Sequence, residues 1–166
     1  MPIGLPQSER SAVFRALALI LRQDPMLTAT VRTFVDWSGG PNDNNPPTLA
    51  MCPYLRLTPT GSADEWASPA THVGALYINI EMMVAGYAVD DLADLWRAVI
   101  AAIYDPQGTT FAAVQAALRD AGAYPPSPQF TMPAFDPKPE SNYCYGIAQI
   151  RIMVQTRLGS RGVVIP

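Results

Sequence analysis

The stretch that decides the fold is HVGALYINIEMMVAGY at positions 72–87, followed at once by DLADLWRAVIAAIY at 91–104. Apolar and polar side chains alternate along the first part, which predicts a long strand with one face against a core. Apolar residues recur at helical spacing in the second part and predict an amphipathic helix from Asp91 to Tyr104. The two predicted strand faces consist of Leu76, Ile78, Ile80, Met82 and Val84 on the core side and of Tyr77, Asn79, Glu81 and Met83 on the other.

Helices and strands are predicted on both sides of this unit. A helix over positions 8–23 has Ser8 as its candidate N-cap and ends at Asp24-Pro25, because the residue before a proline avoids helical geometry. Partial alternation over 26–37 favours a strand but leaves a short helix open. The remaining predicted elements are a short strand over 54–59, a loop over 60–70, a helix over 110–121 and an alternating strand over 146–158.

Two stretches are predicted to be extended loops, the first rich in proline, glycine and asparagine and the second rich in proline. They cover 38–53 and 124–143, and six prolines in the second exclude a helix or a central strand there. A length of 166 residues fits one domain spanning 1–166. The element order predicts an α+β fold, a mainly antiparallel sheet with two to three helices packed on one face.

Composition excludes several classes of function. Charged residues make up 15% of the chain and the net charge is −3, so a dedicated, sequence-specific nucleic-acid binder with a basic stripe is not expected. No apolar run approaches the 18 or more residues that cross a bilayer, so no membrane partner is expected. Cys52 and Cys144 are the only cysteines and are interpreted as reduced structural thiols.

The sequence contains no recognised catalytic or ligand-binding motif, so we predict that the chain is not an enzyme. The G-x-G-x-x-G, P-loop and G-x-S-x-G patterns are all missing from the sequence. His72 is the single histidine and has no evident nucleophile partner. Asp90, Asp91 and Asp94 are explained by the start of the helix they occupy. We therefore predict no catalytic, cofactor-binding or metal-ligating residues and no cofactor.

The candidate functional residues belong to a surface. Gln149, Arg151, Gln155 and Arg157 alternate along the last predicted strand and share its polar face. This row is either the solvated face of a half-buried sheet or a surface that pairs with another subunit or ring. Trp66 lies in the predicted loop 60–70, where it either folds back on its own core or anchors a neighbouring chain.

The order of these segments resembles the tail terminator, or tail completion, proteins of long-tailed bacteriophages. The resemblance lies in PYLRL at 53–57, the long strand leading into DDLADLWRAVIAAIY at 90–104, and YGIAQIRIMVQTRL at 145–158. It covers most of the chain as a pattern of elements and contains no invariant motif. The loops at 38–53 and 124–143 depart from the smaller members of that family.

The resemblance implies a structural virion protein of the head–tail junction, assembled in the host cytoplasm. In that family such a protein forms a ring of six copies, which caps the tail tube and offers a surface to the head connector. The implied partners are other copies of the chain, the tail tube protein and the head–tail connector proteins. The alternatives are another neck protein, meaning a head completion, connector or tube protein, and a small α/β enzyme or ligand-binding domain.

Overall fold

A computed structural model describes residues 9–36, 45–68, 71–86, 88–104, 110–121, 123, 129–131 and 133–157. Four helices and six strands are assigned in this part of the chain, with 3₁₀ turns at Leu49–Met51 and Pro139–Ser141. In chain order these elements are α1 (Glu9–Gln23), α2 (Pro25–Thr30), β1 (Thr33–Val35), β2 (Tyr54–Ser68), β3 (Thr71–Ala85), α3 (Val89–Tyr104), α4 (Thr110–Ala121), β4 (Gln129–Phe130), β5 (Ala134–Lys138) and β6 (Tyr143–Arg157).

The six strands form one mixed sheet. Their order is β1-β2-β3-β6-β4, and β5 also pairs with β6. β1 runs parallel to β2. The other pairs, β2–β3, β3–β6, β4–β6 and β5–β6, are antiparallel. The three central strands β2, β3 and β6 are each 15 residues long. This architecture confirms the predicted α+β class with a mainly antiparallel sheet.

The main hydrophobic core lies between the sheet and the helices. Helices α1 and α3 lie against the sheet, and α4 packs against both helices. The side chains of this core that are fully buried include Leu17, Leu57, Ile78, Ile80, Leu92, Val99, Leu118, Ile150 and Ile152. Each large aliphatic side chain buried in this way stabilises the fold by about 1.5–3 kcal/mol. The predicted apolar faces of the long strand and of the helix that follows it are therefore the faces that meet.

The segment after α1 forms a short helix before it forms a strand. Asp24 ends α1, as predicted, but it also caps α2, because its Oδ1 accepts a hydrogen bond from the Leu27 N–H at 2.9 Å. Pro25 occupies the first turn of α2, where a missing N–H costs nothing. The strand favoured over 26–37 is therefore confined to Thr33–Val35, and the short-helix alternative is correct for 25–30.

The predicted loop 60–70 was wrong. β2 does not stop at Pro59 but continues to Ser68, and it pairs with β3 along its whole length. The register shifts between Pro59 and Gly61, which accommodates the proline within the ladder as a bulge. Pairing with a long neighbouring strand therefore overrides the turn-like composition of this segment.

The predicted arm 124–143 contributes two strands to the sheet. β4 and β5 both pair with β6, and β6 begins at Tyr143 rather than at the predicted Gly146. Pro137 lies within β5, which pairs with β6 on one side only among the described strands. A proline, which has no backbone N–H to donate, is tolerated in such an edge strand. The predicted cap Ser8, positions 38–44 of the predicted loop 38–53 and the stretch from position 158 onward lie outside the described residues.

Candidate subunit interface

One face of the sheet is not covered by any helix of the described chain. Met51 and Cys52 pack on Tyr54 and Met83 and cover one end of this face. The remainder is called the open face here. It consists of Tyr77, Asn79, Glu81, Ile147, Gln149, Arg151, Met153 and Gln155. Every one of these side chains is half-buried, because neighbours on adjacent strands shield one another.

Hydrogen bonds between strands fix the centre of the open face. Gln149 Nε2 donates to Asn79 Oδ1 at 3.2 Å, directly across the β3–β6 ladder. Arg151 Nη1 donates to Gln129 Oε1 at 3.2 Å on the other side of β6. The Gln149 N–H also donates to Thr131 Oγ1 at 2.9 Å. These side chains are ordered before any partner arrives, which lowers the entropy lost on binding.

One ion pair on this side of the sheet, Arg56–Glu81, lies near the side chains of Tyr54 and Tyr145. Arg56 Nη1 lies 3.5 Å from Glu81 Oε2, and both side chains are mostly shielded from solvent. The Arg56 guanidinium carbon is also 5.4 Å from the centre of the Tyr54 ring. Burial, followed by the nearby Glu81 carboxylate, raises the pKa of Tyr145. The Tyr145 phenol therefore stays protonated at neutral pH and keeps its hydrogen-bond donor.

Two arginine donors near this face lack an acceptor within the described chain. The Nε atoms of Arg56 and Arg151 are buried and make no hydrogen bond there. A buried donor without an acceptor costs about 1–3 kcal/mol. Arginine is enriched at protein–protein interfaces, and the Arg151 side chain as a whole is only half-buried, so its guanidinium is a candidate contact group.

The structure places three of the five predicted interface residues on the open face. Gln149, Arg151 and Gln155 are half-buried there. They share one face of β6 because even numbers of positions separate them along the strand. Arg157 ends β6 and pairs with Thr71. The Arg157 side chain lies outside the described part of the structure.

The prediction that Trp66 lies in an extended loop was wrong. Trp66 is part of β2 and pairs with His72, which in turn pairs with Thr156 of β6. Trp66 therefore lies at the same end of the sheet as Gln155 and Arg157, two strands away, or about 10 Å. Its side chain is outside the described part of the structure, so the fold-back and anchoring alternatives both remain predictions.

Sequence reasoning missed part of this surface. Arg56 lies between the buried Leu55 and Leu57, and extending the alternation rule to this short strand would have found it. Gln129 and Thr131 lie in the proline-rich stretch, where the composition gives no strand signal. Only pairing with β6 brings these two side chains to the open face.

The described residues show little that could support chemistry. Within them, no group of three or more His, Cys, Asp or Glu side chains is placed to hold a metal ion. Cys52 and Cys144 are buried and not disulfide-bonded, and burial raises the pKa of both thiols. Neither thiol is therefore activated as a nucleophile. The prediction that the chain is not an enzyme stays a prediction.

In the described part of the chain, no helix combines the length and the apolar content needed to cross a bilayer.

The fold has a counterpart among solved structures. No protein-family model and no curated protein matches the chain. A chain from the virion of a native gene transfer agent particle is similar, with a TM-score of 0.56 and 14% sequence identity. The match covers 90% of this chain and 98% of the other. At this identity the likeness shows a shared fold.

Proposed function

We propose that this chain is a structural protein of a phage-like virion. The observation that carries the proposal is the fold that it shares with a chain of a gene transfer agent virion. That likeness extends over nearly the whole of both chains, so the shared unit is the entire fold and not a small common motif. A location in the virion and contacts with other virion proteins follow from the same proposal.

Within that class we propose a tail terminator. In this role several copies, six by resemblance to the family, form a ring that caps the tail tube and joins it to the head connector. The support is the element order of the sequence and the α+β fold now described. A catalytic or cofactor-dependent role forms no part of this proposal.

The open face is proposed as one contact surface of the assembly. It is half-buried and mainly polar, with side chains already held by Asn79–Gln149 and Gln129–Arg151 hydrogen bonds. The half-buried Arg151 guanidinium gives a partner a charged donor to contact. These properties match the ordered polar part of a protein–protein interface.

The test is to mix the purified chain with tail tubes of the particle that encodes it and to image them by negative stain. A terminator is expected at tube ends, as one ring per end, and should stop further growth of the tube. Open-ended tubes formed by the chain alone would assign the tube role instead. Binding to the connector but not to tube ends would assign a head completion role.

A variant pair tests the open face in the same assay. Arg151→Ala should reduce occupancy of tube ends several-fold, because the partner's acceptor loses its donor. Arg119→Ala on the exposed side of α4 is the matched control and should leave occupancy unchanged. Circular dichroism would show that both variants are folded. Equal occupancy for the two variants would remove the open face from the contact.

A further inference from the structure

Two grooves on the helical side of the molecule have opposite charge and exposed apolar side chains. The α1 groove, of about 560 Å³, is lined by Phe14, Arg15, Ala18, Leu19, Arg22 and Pro59 among others. The α3 groove, of about 420 Å³, lies between α2 and α3 and is lined by Met26, Pro53, Asp91, Asp94, Leu95 and Ala98 among others. None of the described residues lines both grooves.

Each groove exposes a large apolar side chain at its rim. Leu19 is 54% exposed in the α1 groove, and Met26 is 61% exposed in the α3 groove. Together they are two of the four large apolar residues found exposed in the described chain. An apolar centre with a charged rim is the usual composition of a protein–protein contact.

The charges of the two grooves leave one basic and one acidic group uncompensated. Arg22 is paired with Asp36 at 2.9 Å, and Asp94 is paired with Arg97 at 3.0 Å. Arg15 and Asp91 are exposed and make no ion pair within the described residues. The α1 groove therefore offers a positive charge and the α3 groove a negative one.

We propose that the α1 groove of one copy of this chain docks on the α3 groove of the next copy. Arg15 of one subunit then faces Asp91 of its neighbour, and Leu19 packs with Met26. A contact between like grooves would instead bring two Arg15 or two Asp91 side chains together, which is repulsive. The charge pattern therefore pairs unlike grooves, and in the proposed ring this pairing is head-to-tail, the type that closes a ring.

This inference rests on the proposed ring. It places the contact between neighbouring subunits on a surface that is separate from the open face. The occupant is a second copy because the two complementary surfaces are both present on this chain and neither is self-complementary. A head-to-tail joint leaves the open face available for another layer of the assembly.

Charge reversal with the matched rescue tests the contact. The variants Arg15→Glu and Asp91→Arg are compared with Arg119→Glu and Asp120→Arg, which lie on the exposed side of α4 and line neither groove. The readout is the subunit dissociation constant from light scattering, with circular dichroism to show that each variant is folded. Each groove variant should weaken assembly at least about tenfold, and the two controls should not.

Rescue by the double variant is specific to a contact between unlike grooves. An equimolar mixture of Arg15→Glu and Asp91→Arg chains should assemble as an alternating ring, because every joint then pairs opposite charges. The double variant in one chain should also assemble. Loss of assembly in the single variants without either rescue would overturn the proposed pairing, as would equal weakening by the α4 controls.

The failure of this contact can be told apart from the failure of the proposed function. Rings that form equally well from wild type, Arg15→Glu and Asp91→Arg would overturn the contact and leave the terminator proposal intact. A wild-type chain that stays monomeric at every concentration, and also on tail tubes, would overturn both.

Discussion

Gly146 is the position where a single added methyl group should be most informative about the core. Gly146 lies in β6, between Met82 of β3 and Phe135 of β5 in the ladder. A Cβ built there would lie 2.8 Å from Leu92 Cδ2 and 2.9 Å from Phe135 Cδ1. Non-bonded carbon atoms are most stable about 3.5–4.0 Å apart, so the methyl group would be at least about 0.6 Å too close to both. The glycine is therefore what lets α3 and β5 approach β6.

The expected effect of Gly146→Ala is a loss of about 1–2 kcal/mol in the free energy of unfolding. Overpacking a core costs about 1–3 kcal/mol, and the lower entropy of the unfolded alanine chain recovers up to about 1 kcal/mol. Leu92 is fully buried and cannot move outward, whereas the half-buried Phe135 ring can shift in part. The steric cost should therefore exceed the entropic gain.

The assay is urea unfolding followed by tryptophan fluorescence, at a concentration where the chain is monomeric. The same substitution in a Phe135→Ala background should cost at least about 0.5 kcal/mol less, because one of the two clashes has been removed. A Gly146→Ala chain as stable as wild type, or one that loses the same amount in both backgrounds, would refute the close approach.

Three further changes test other parts of the fold by the same unfolding measurement. Trp96→Ala should cost about 3–5 kcal/mol because the indole is buried in the core, while Arg97→Ala, on the exposed side of the same helix, should cost at most about 0.5 kcal/mol. A similar loss for both would mean that the helix faces are misassigned. Asp24→Ala should cost about 1 kcal/mol and Asp24→Asn much less, because the side-chain oxygen caps α2; an equal cost would exclude the cap. Burial raises the pKa of the Cys52 and Cys144 thiols, so the folded chain holds their protons more tightly, and stability should fall as the pH rises above about 8.5, the usual thiol value. Cys144→Ala should lose less stability than wild type between pH 8 and 10, and identical slopes would contradict this assignment.

The sequence predicted the parts of the fold in which one local pattern and the tertiary packing agree. Alternation along β3 and β6 and the helical spacing of α3 each place their apolar residues on the face that the core buries. In such long amphipathic segments the choice of buried face is strongly determined, since any other register would expose a continuous apolar face to water.

The sequence failed where pairing between distant segments decides the structure. The segment 61–68 contains glycine, serine and aspartate and is typical of a turn, yet the long β3 strand draws it into the sheet. β4 and β5 depend in the same way on an edge of β6 that no local pattern reveals. Asp24-Pro25 ends α1 as predicted, but aspartate followed by proline is equally a helix start, and here it begins α2.

Alternation within single strands predicted which residues of β3 and β6 face away from the core, but not which strands lie side by side. Gln149, Arg151 and Gln155 followed from alternation within one strand. Their hydrogen-bond partners Asn79 and Gln129 come from strands that are adjacent only in the folded sheet. The α1 groove is lined mainly by residues at helical spacing along α1, which spacing alone could have grouped, whereas the α3 groove joins residues of α2, β3 and α3 that are distant in sequence.

The mass of the assembled chain tests the central claim most directly. Native mass spectrometry over a range of concentrations, with and without tail tubes, would be compared with negative-stain images of the same samples. A closed ring predicts one discrete species, about 108 kDa for six copies of the 18.0 kDa chain, with no larger members of a series. A continuous series of masses with open-ended tubes, or a monomer that persists even on tail tubes, would contradict the proposal.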